Sequence, residues 1–421
     1  MEFTKNSESL MDFFINDFPT LKIKRTALQQ KRLDNILGIL YNEIKSGERY
    51  VDLLLTLGEI KTEILSDRTS EKYPSCDLLS SHFVTSSARD YVSKHLSGYL
   101  VYKVRMVDRE VYIYFGLLTG DDHDNMSKFD MYVKRMLTWL RMASRYSHRD
   151  CGKTLKVFCF LTPFKKVLPS NQFNVISADN CNSAVTTSCV RDGEILIYRE
   201  EEFIKVFIHE TFHLLGLDFS GLPTATLNKR LRTLFPIKSQ YNAFESYSEF
   251  WASIMNALFC AYNLLDKEDD EKQFLLYSDF CIQFEQIFSL FQCVKVLDFM
   301  GMRYSNLYET DNVSRSVRKY LFKEKTNVFA YYVMKANLLY FCSEFMHWCS
   351  KNNTNLLCFR KTMPHLDKFF EFVEGHYKRK RFLDSLEDMQ SFLKSAKRRR
   401  AYTKCNTLTK TMRMSLCELS A

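Results

Sequence analysis

The sequence predicts an α+β fold that is mostly helical and built round a small twisted sheet. Three observations lead there. Apolar residues recur at three- and four-residue spacing over most of the chain. Period-two alternation begins near residue 98 and is brief. One largely apolar stretch, Lys205-Val-Phe-Ile-His-Glu-Thr-Phe-His-Leu-Leu-Gly216, has a helical period and carries H-E-x-x-H.

Composition sets the bounds. The 421 residues suffice for two or three domains, and 46% are hydrophobic against 12 Gly and 7 Pro, so the chain is globular rather than disordered. The 35 Phe and 23 Tyr suit large helical cores. A net charge of +9 permits an acidic partner without demanding one. The 13 Cys are odd in number and form no C-x-x-C, which predicts free, buried thiols in a reducing, intracellular compartment, taken as cytoplasmic. The first residues lack a basic segment followed by an apolar core, so no signal peptide is expected. No run of about 18 apolar residues occurs, so no membrane span is expected.

Residues 1–80 read as an N-terminal helical region, with helices over Lys22 to Ile44 and Tyr50 to Leu65 and a linker over 67–80. Tyr99 to Met106 and Glu110 to Phe115 flank Val107-Asp-Arg as a β-hairpin. A loop at Gly120–Asn125 follows, then a helix over Met131 to Tyr146. Leu155 to Leu161 is a strand closed by Pro163, and a polar loop through Ser177–Ser183 leads to a strand over Glu194 to Arg199. The motif helix stops near Gly216 as at a helix C-cap. Leu222 to Gln240 is a connector with Lys229, Arg230 and Arg232. Phe244 to Leu264 is a long helix. Residues 81–265 form the core of this reading and 266–396 a C-terminal helical region. Residues 397–421 are read as a basic, frayed tail, from Lys397-Arg-Arg-Arg400 into Ser/Thr-rich sequence.

His209 and His213 are four apart, so on a helix both imidazoles face one side and can hold one metal ion. Glu210 sits one step round, where its carboxylate reaches a water on that ion as general base. With nine His in the chain, H-E-x-x-H arises by chance roughly once in a hundred such sequences. The plainer alternative is two packed imidazoles and a capping carboxylate. A third ligand is required. Phe219 occupies the position of the third His in H-E-x-x-H-x-x-G-x-x-H, and Asp218 is one residue out of register, so Asp218 reads as a surface or helix-terminal carboxylate. Glu245 and Glu249, four apart on an aromatic helix, are costly to bury without a metal or an imidazole, and spacing alone does not choose between them.

H-E-x-x-H followed by a downstream helix with Glu245, Glu249, Trp251 and Ala252 resembles the gluzincin group of zinc metallopeptidases. The order of elements over roughly 95–265 is similar to the small members of that group. The strings from Ile197 to Ser220 and Tyr247-Ser-Glu-Phe-Trp-Ala252 also resemble uncharacterised zincin-like proteins of large eukaryotic DNA viruses, which would put the protein in host cytoplasm or virion. The resemblance implies one Zn2+ per chain held by His209, His213 and Glu245, with Glu210 as the catalytic base and Glu249 orienting an imidazole. It departs in having Glu249 where the group has Asp or Asn. The oxyanion-stabilising residue has no obvious counterpart; Tyr331 and Tyr332 are candidates, with packing as their plainer role.

The expected function is hydrolysis of peptide bonds through a zinc-activated water. The competing reading is a zincin fold kept as a structural or virion assembly protein without turnover, against which an intact Glu210 argues. Lys378-Arg-Lys-Arg381 and Lys397–Arg400 allow a weak nucleic-acid contact, or a solvated helix face and tail. The N-terminal helices are a propeptide or a substrate-recruiting region.

Overall fold

A six-stranded mixed sheet positions everything else in this computed structural model, which describes residues 1–17, 23–119, 126–398 and 408–420. Strands β1 (Lys61–Leu65), β2 (Leu96–Met106) and β3 (Arg109–Leu118) form an antiparallel meander. β4 (Thr154–Cys159) pairs parallel to β3, β6 (Asp192–Ile197) pairs parallel to β4, and β5 (Ala184–Thr186) closes the edge antiparallel to β6. The spatial order is β1-β2-β3-β4-β6-β5. The predicted hairpin forms, with Met106 opposite Arg109 and Val107 in the left-handed region at φ 56°.

Alternation sorts the strands between two cores. Tyr102, Ile113, Val157 and Ile195 face the main one. Tyr99, Tyr114, Phe158 and Leu196 face a smaller one, covered by α3 (Ser86–His95) and the turn at Asp77–Ser80. The inner strands are buried on both faces, so β4 and β6 read as short apolar runs.

α1 (Lys5–Asp17), α2 (Ala27–Thr56) and α4 (Met126–Ala143) contribute to the main core. Gly47 of α2 meets α4 closely: a β-carbon there would stand 3.1 Å from the Thr138 carbonyl. α5 (Ala178–Cys181) precedes β5. α6 (Phe203–Leu214), α7 (Ala225–Leu234) and α8 (Ala243–Asn263) follow the sheet. α9 (Glu271–Phe299), α10 (Asn312–Tyr320), a π-helical turn at Phe329–Met334, α11 (Lys335–Tyr340), α12 (Cys342–Asn352), α13 (Met363–His376) and α14 (Lys380–Arg398) complete the helical layer. One apolar cluster runs from Leu10 to Leu419. Among the described helices α9 alone is long and apolar enough to cross a membrane, and 83% of that stretch is buried inside the protein.

Four expectations need correction. The helix over Tyr50 to Leu65 does not form: α2 continues to Thr56, Gly58 turns the chain at φ 64°, and 61–65 pairs with β2. The connector before α8 contains α7. The frayed tail is wrong for 408–420, where Met412, Leu416 and Cys417 are buried. Ser/Thr-rich composition hid the reason: their backbone amides satisfy buried carboxylates. Finally, Cys151 and Cys189 form a disulfide, while ten described cysteines are free. The loop at 120–125 and part of the basic run 397–400 lie outside the described residues.

Candidate metal centre

α6 and α8 pack together and run antiparallel, so that Lys205, His209 and His213 face Glu249 and Glu245 in turn. α6 is buried all round: Phe207, Ile208 and Phe212 lie in the main core, and Trp139 Nε1 of α4 donates to Thr211 Oγ1 at 2.6 Å. Its C-terminus is a Schellman cap. The Gly216 amide donates to the His213 carbonyl at 3.1 Å and the Leu217 amide to the Phe212 carbonyl at 2.8 Å, with Gly216 at φ 64°. This reversal sends Asp218 back along the last turn.

His209 Nε2, His213 Nε2 and Glu245 Oε2 converge. The two nitrogens are 3.0 Å apart, and Glu245 Oε2 stands 3.2 Å from the first and 3.3 Å from the second. Ligands arranged tetrahedrally at ~2.0–2.1 Å round one ion are ~3.3 Å from each other. Glu245 Oε1 accepts from Asn327 Nδ2 at 3.1 Å, whereas Glu245 Oε2 is buried and has no aligned hydrogen-bond donor. A buried carboxylate oxygen without a donor is costly. The three residues can hold a metal ion, and that orphaned oxygen fits one.

The remaining imidazole nitrogens are supported from behind. His213 Nδ1 contacts Asp218 Oδ2, and Asp218 is fixed by Ser220 and Ser248. His209 Nδ1 lies 2.9 Å from Glu249 Oε1, close enough for an ion pair although off the direction of an aligned hydrogen bond. Glu249 also receives Lys205, and Lys335 at 3.2 Å. Lys335 in turn donates to the Met414 carbonyl. The 408–420 segment is thereby tied to the centre. Its amides at Met414 and Ser415 meet Glu202, which starts α6, and those at Leu416 and Cys417 meet Glu285 of α9.

Burial and these partners set the charges. Burial alone would raise Glu245, but the His213 and His209 imidazoles outweigh it and bring it down to about 2. Burial would lower His213, yet Asp218 and Glu245 hold it well above the ordinary imidazole range. Glu249 is held well below the carboxylate range against its burial, by Lys205, Lys335 and His209. Burial pushes Glu210 up; the two imidazoles pull against it.

Glu210 is not one of the converging ligands. It makes no hydrogen bond to the described residues and lines a cleft of about 1230 Å³ together with His209, His213 and Glu245. β5 and the stretches 236–242 and 324–327 also line it, and Thr326 Oγ1 donates to Asn182 Oδ1 at 2.9 Å just before β5. Tyr331, on the π-helical turn, faces the same cleft: its ring centroid is 6.2 Å from that of His209, and its hydroxyl accepts from Asn327 Nδ2 at 3.3 Å. Tyr332 points away and donates to the Met412 carbonyl at 2.7 Å.

His209, Glu210, His213, Glu245 and Glu249 therefore lie together, and Phe219 packs against Phe244 and Phe359. The surface reading of Asp218 is corrected: it is fully buried against His213. A carboxylate two residues past a capping glycine was the available signal. Lys205, Lys335 and Asn327 were missed; a Lys four before the first His of a buried helix was legible, the other two were not. In the basic run 378–381, Arg381 pairs with Glu344 and Lys378 lies 4.4 Å from the Tyr308 ring centroid. Comparison with protein-family models, curated proteins and solved structures finds no match.

Proposed function

We propose that the protein is a zinc-dependent peptidase. The observation that carries this reading is the convergence of His209 Nε2, His213 Nε2 and the donor-less Glu245 Oε2 within 3.0–3.3 Å, beside Glu210 in an open cleft. Two imidazoles and one carboxylate in tetrahedral spacing suit zinc with one position left open. Bound there, zinc supplies Lewis acidity and a water that ionises near neutral pH.

Glu210 accepts the proton of the attacking water and returns it to the departing amine. It makes no hydrogen bond to the described residues, so its carboxylate is free to take the proton. Tyr331 donates its hydroxyl proton in a hydrogen bond to the oxygen that gains charge. Burial first, and Glu245 next, keep that phenol well above its ordinary range, so it stays a donor. Asp218 and Glu249 orient the two imidazoles. β5 pairs only with β6 in the sheet, and its other edge offers main-chain groups to an extended peptide lying in the cleft.

The test is metal analysis of the purified protein alongside a broad peptide library. About one zinc per chain is expected, lost in His213→Ala. Glu210→Gln should keep the zinc and abolish cleavage. Zinc retained in His213→Ala, or a zinc-loaded wild type that cleaves no peptide, counts against the reading.

A further inference from the structure

The rim of the cleft is charged asymmetrically. Arg232, Lys238 and Lys325 line it, all exposed, and none forms an ion pair with a described carboxylate. Arg232 lies over the Tyr241 ring at 5.9 Å, which holds its guanidinium toward the same wall. Lys325 is anchored through its backbone amide to the Ile176 carbonyl at 3.0 Å, beside the bridge of Ile176 to Glu324. The one carboxylate on this wall, Glu324, is turned inward to the Phe329 amide at 2.8 Å, and burial pushes it toward its neutral form. The other lining carboxylates, Glu210 and Glu245, are at the floor beside the imidazoles. The rim is thus cationic and the floor is not.

We infer that the cleft binds peptide segments rich in Asp and Glu, with Arg232, Lys238 and Lys325 selecting for those side chains. This rests on the peptidase reading and adds the substrate class. Three uncompensated cations beside a low-dielectric wall raise the local concentration of an acidic segment. An extended peptide can bring a neutral amide to the floor while its acidic side chains stay at the rim. A nucleic acid carries charge on every phosphate and has no neutral peptide amide to bring to the floor. β5, which also lines the cleft and pairs only with β6 in the sheet, suits a peptide main chain.

The experiment uses the full chain carrying Glu210→Gln and loaded with zinc, so that nothing is cleaved. Fluorescence anisotropy with a neutral dye compares a 12-residue peptide containing four Glu with its Gln counterpart. The Glu peptide should bind about 10-fold more tightly at low salt, with most of the difference gone at high salt. Adding Arg232→Glu, Lys238→Glu and Lys325→Glu should erase or reverse the preference while leaving zinc content unchanged. Equal binding of both peptides, or a preference that survives the three changes, overturns the inference. So does a dT12 oligonucleotide that binds more tightly than the Glu peptide and loses its binding with the three changes. If the wild type cleaves no peptide yet this preference appears and responds, the hydrolytic reading falls and the cleft assignment stands. If cleavage occurs with no acidic preference, this inference falls alone.

Discussion

Asp218 meets His213 Nδ1 only because Gly216 turns the chain back on the last turn of α6. The carboxylate is fully buried and held by Ser220 on one oxygen and Ser248 on the other. Asp218→Ala would leave the imidazole N–H without an acceptor and free the ring to turn. Metal affinity should fall about 10- to 100-fold, and less in Asp218→Asn, whose amide oxygen still accepts. Chelator-competition titration reads both. Unchanged affinity in the Ala variant means the ring is fixed by other contacts.

Glu245 and Glu249 should separate in opposite ways. Glu245→Ala removes a converging oxygen and should strip metal nearly as thoroughly as loss of a His. Glu249→Ala should reduce affinity by a smaller factor, since of the converging groups it meets His209 alone, and at Nδ1 rather than at the metal-facing nitrogen. In the metal-free protein the order should invert. Glu249 neutralises Lys205 and Lys335, both buried, and removing one partner of such a cluster costs on the order of 3–5 kcal/mol. Thermal melts of the two metal-free variants test this, and a smaller loss for Glu249→Ala contradicts the buried-cluster account.

Deleting residues 408–421 should abolish folding rather than trim a tail. Glu202 and Glu285 would lose their backbone donors, and Lys335 the Met414 carbonyl. Buried carboxylates and an ammonium group stripped of hydrogen-bond partners in this way are strongly destabilising, together with the loss of buried Met412, Leu416 and Cys417. Circular dichroism and soluble yield report the outcome. A truncated protein that melts cooperatively at the parental temperature shows that the segment is dispensable.

Tyr331→Phe should leave zinc content intact and lower kcat at least 10-fold with little change in KM. The phenol is asked to act on charge that exists only in the transition state. Loss in KM alone would assign Tyr331 to substrate contact.

The parts of this site that follow from local rules were legible in the sequence. Four-residue spacing placed His209 beside His213 and Glu245 beside Glu249, and Gly216 marked the cap. The hairpin at Val107 and the short buried strands β4 and β6 followed from period and run length. What escaped depends on contacts far apart in sequence. Lys335 meets Glu249 across 86 residues, and the Met414 amide meets Glu202 across 212. No period announces such pairs, and the polar 408–420 segment looks solvent-exposed until the carboxylates it satisfies are known. β1 was misread because pairing with β2 overrides the helical period of Tyr50 to Leu65.

The metal should stabilise the protein more as pH rises. Without it, the imidazoles take part in ion pairs that need protons. His209 and His213 are raised above their ordinary 6.5 because, against burial, Glu249 favours protonation of the first and Asp218 and Glu245 of the second. A raised imidazole contributes stability that is complete below about 6.5 and is lost as pH climbs through its folded value. Glu245, brought from 4.5 down to about 2, contributes stability that is present above about 4.5 and is lost as pH falls toward 2. The metal-free centre is therefore most stabilising between about 4.5 and 6.5. As pH climbs through the raised imidazole values Asp218 and Glu245 lose their cationic partners, while Glu249 keeps Lys205 and Lys335. A metal ion restores the positive charge but competes with protons for the same nitrogens. The rise in Tm on adding Zn2+ should be small at pH 5.5 and several degrees larger at pH 8. Titration calorimetry at pH 7 in buffers of different ionisation enthalpy should show release of at least one proton per zinc bound. A Tm increment independent of pH, with no proton released, would mean that the imidazoles are already neutral in the metal-free protein and that Asp218, Glu245 and Glu249 do not hold protons on them.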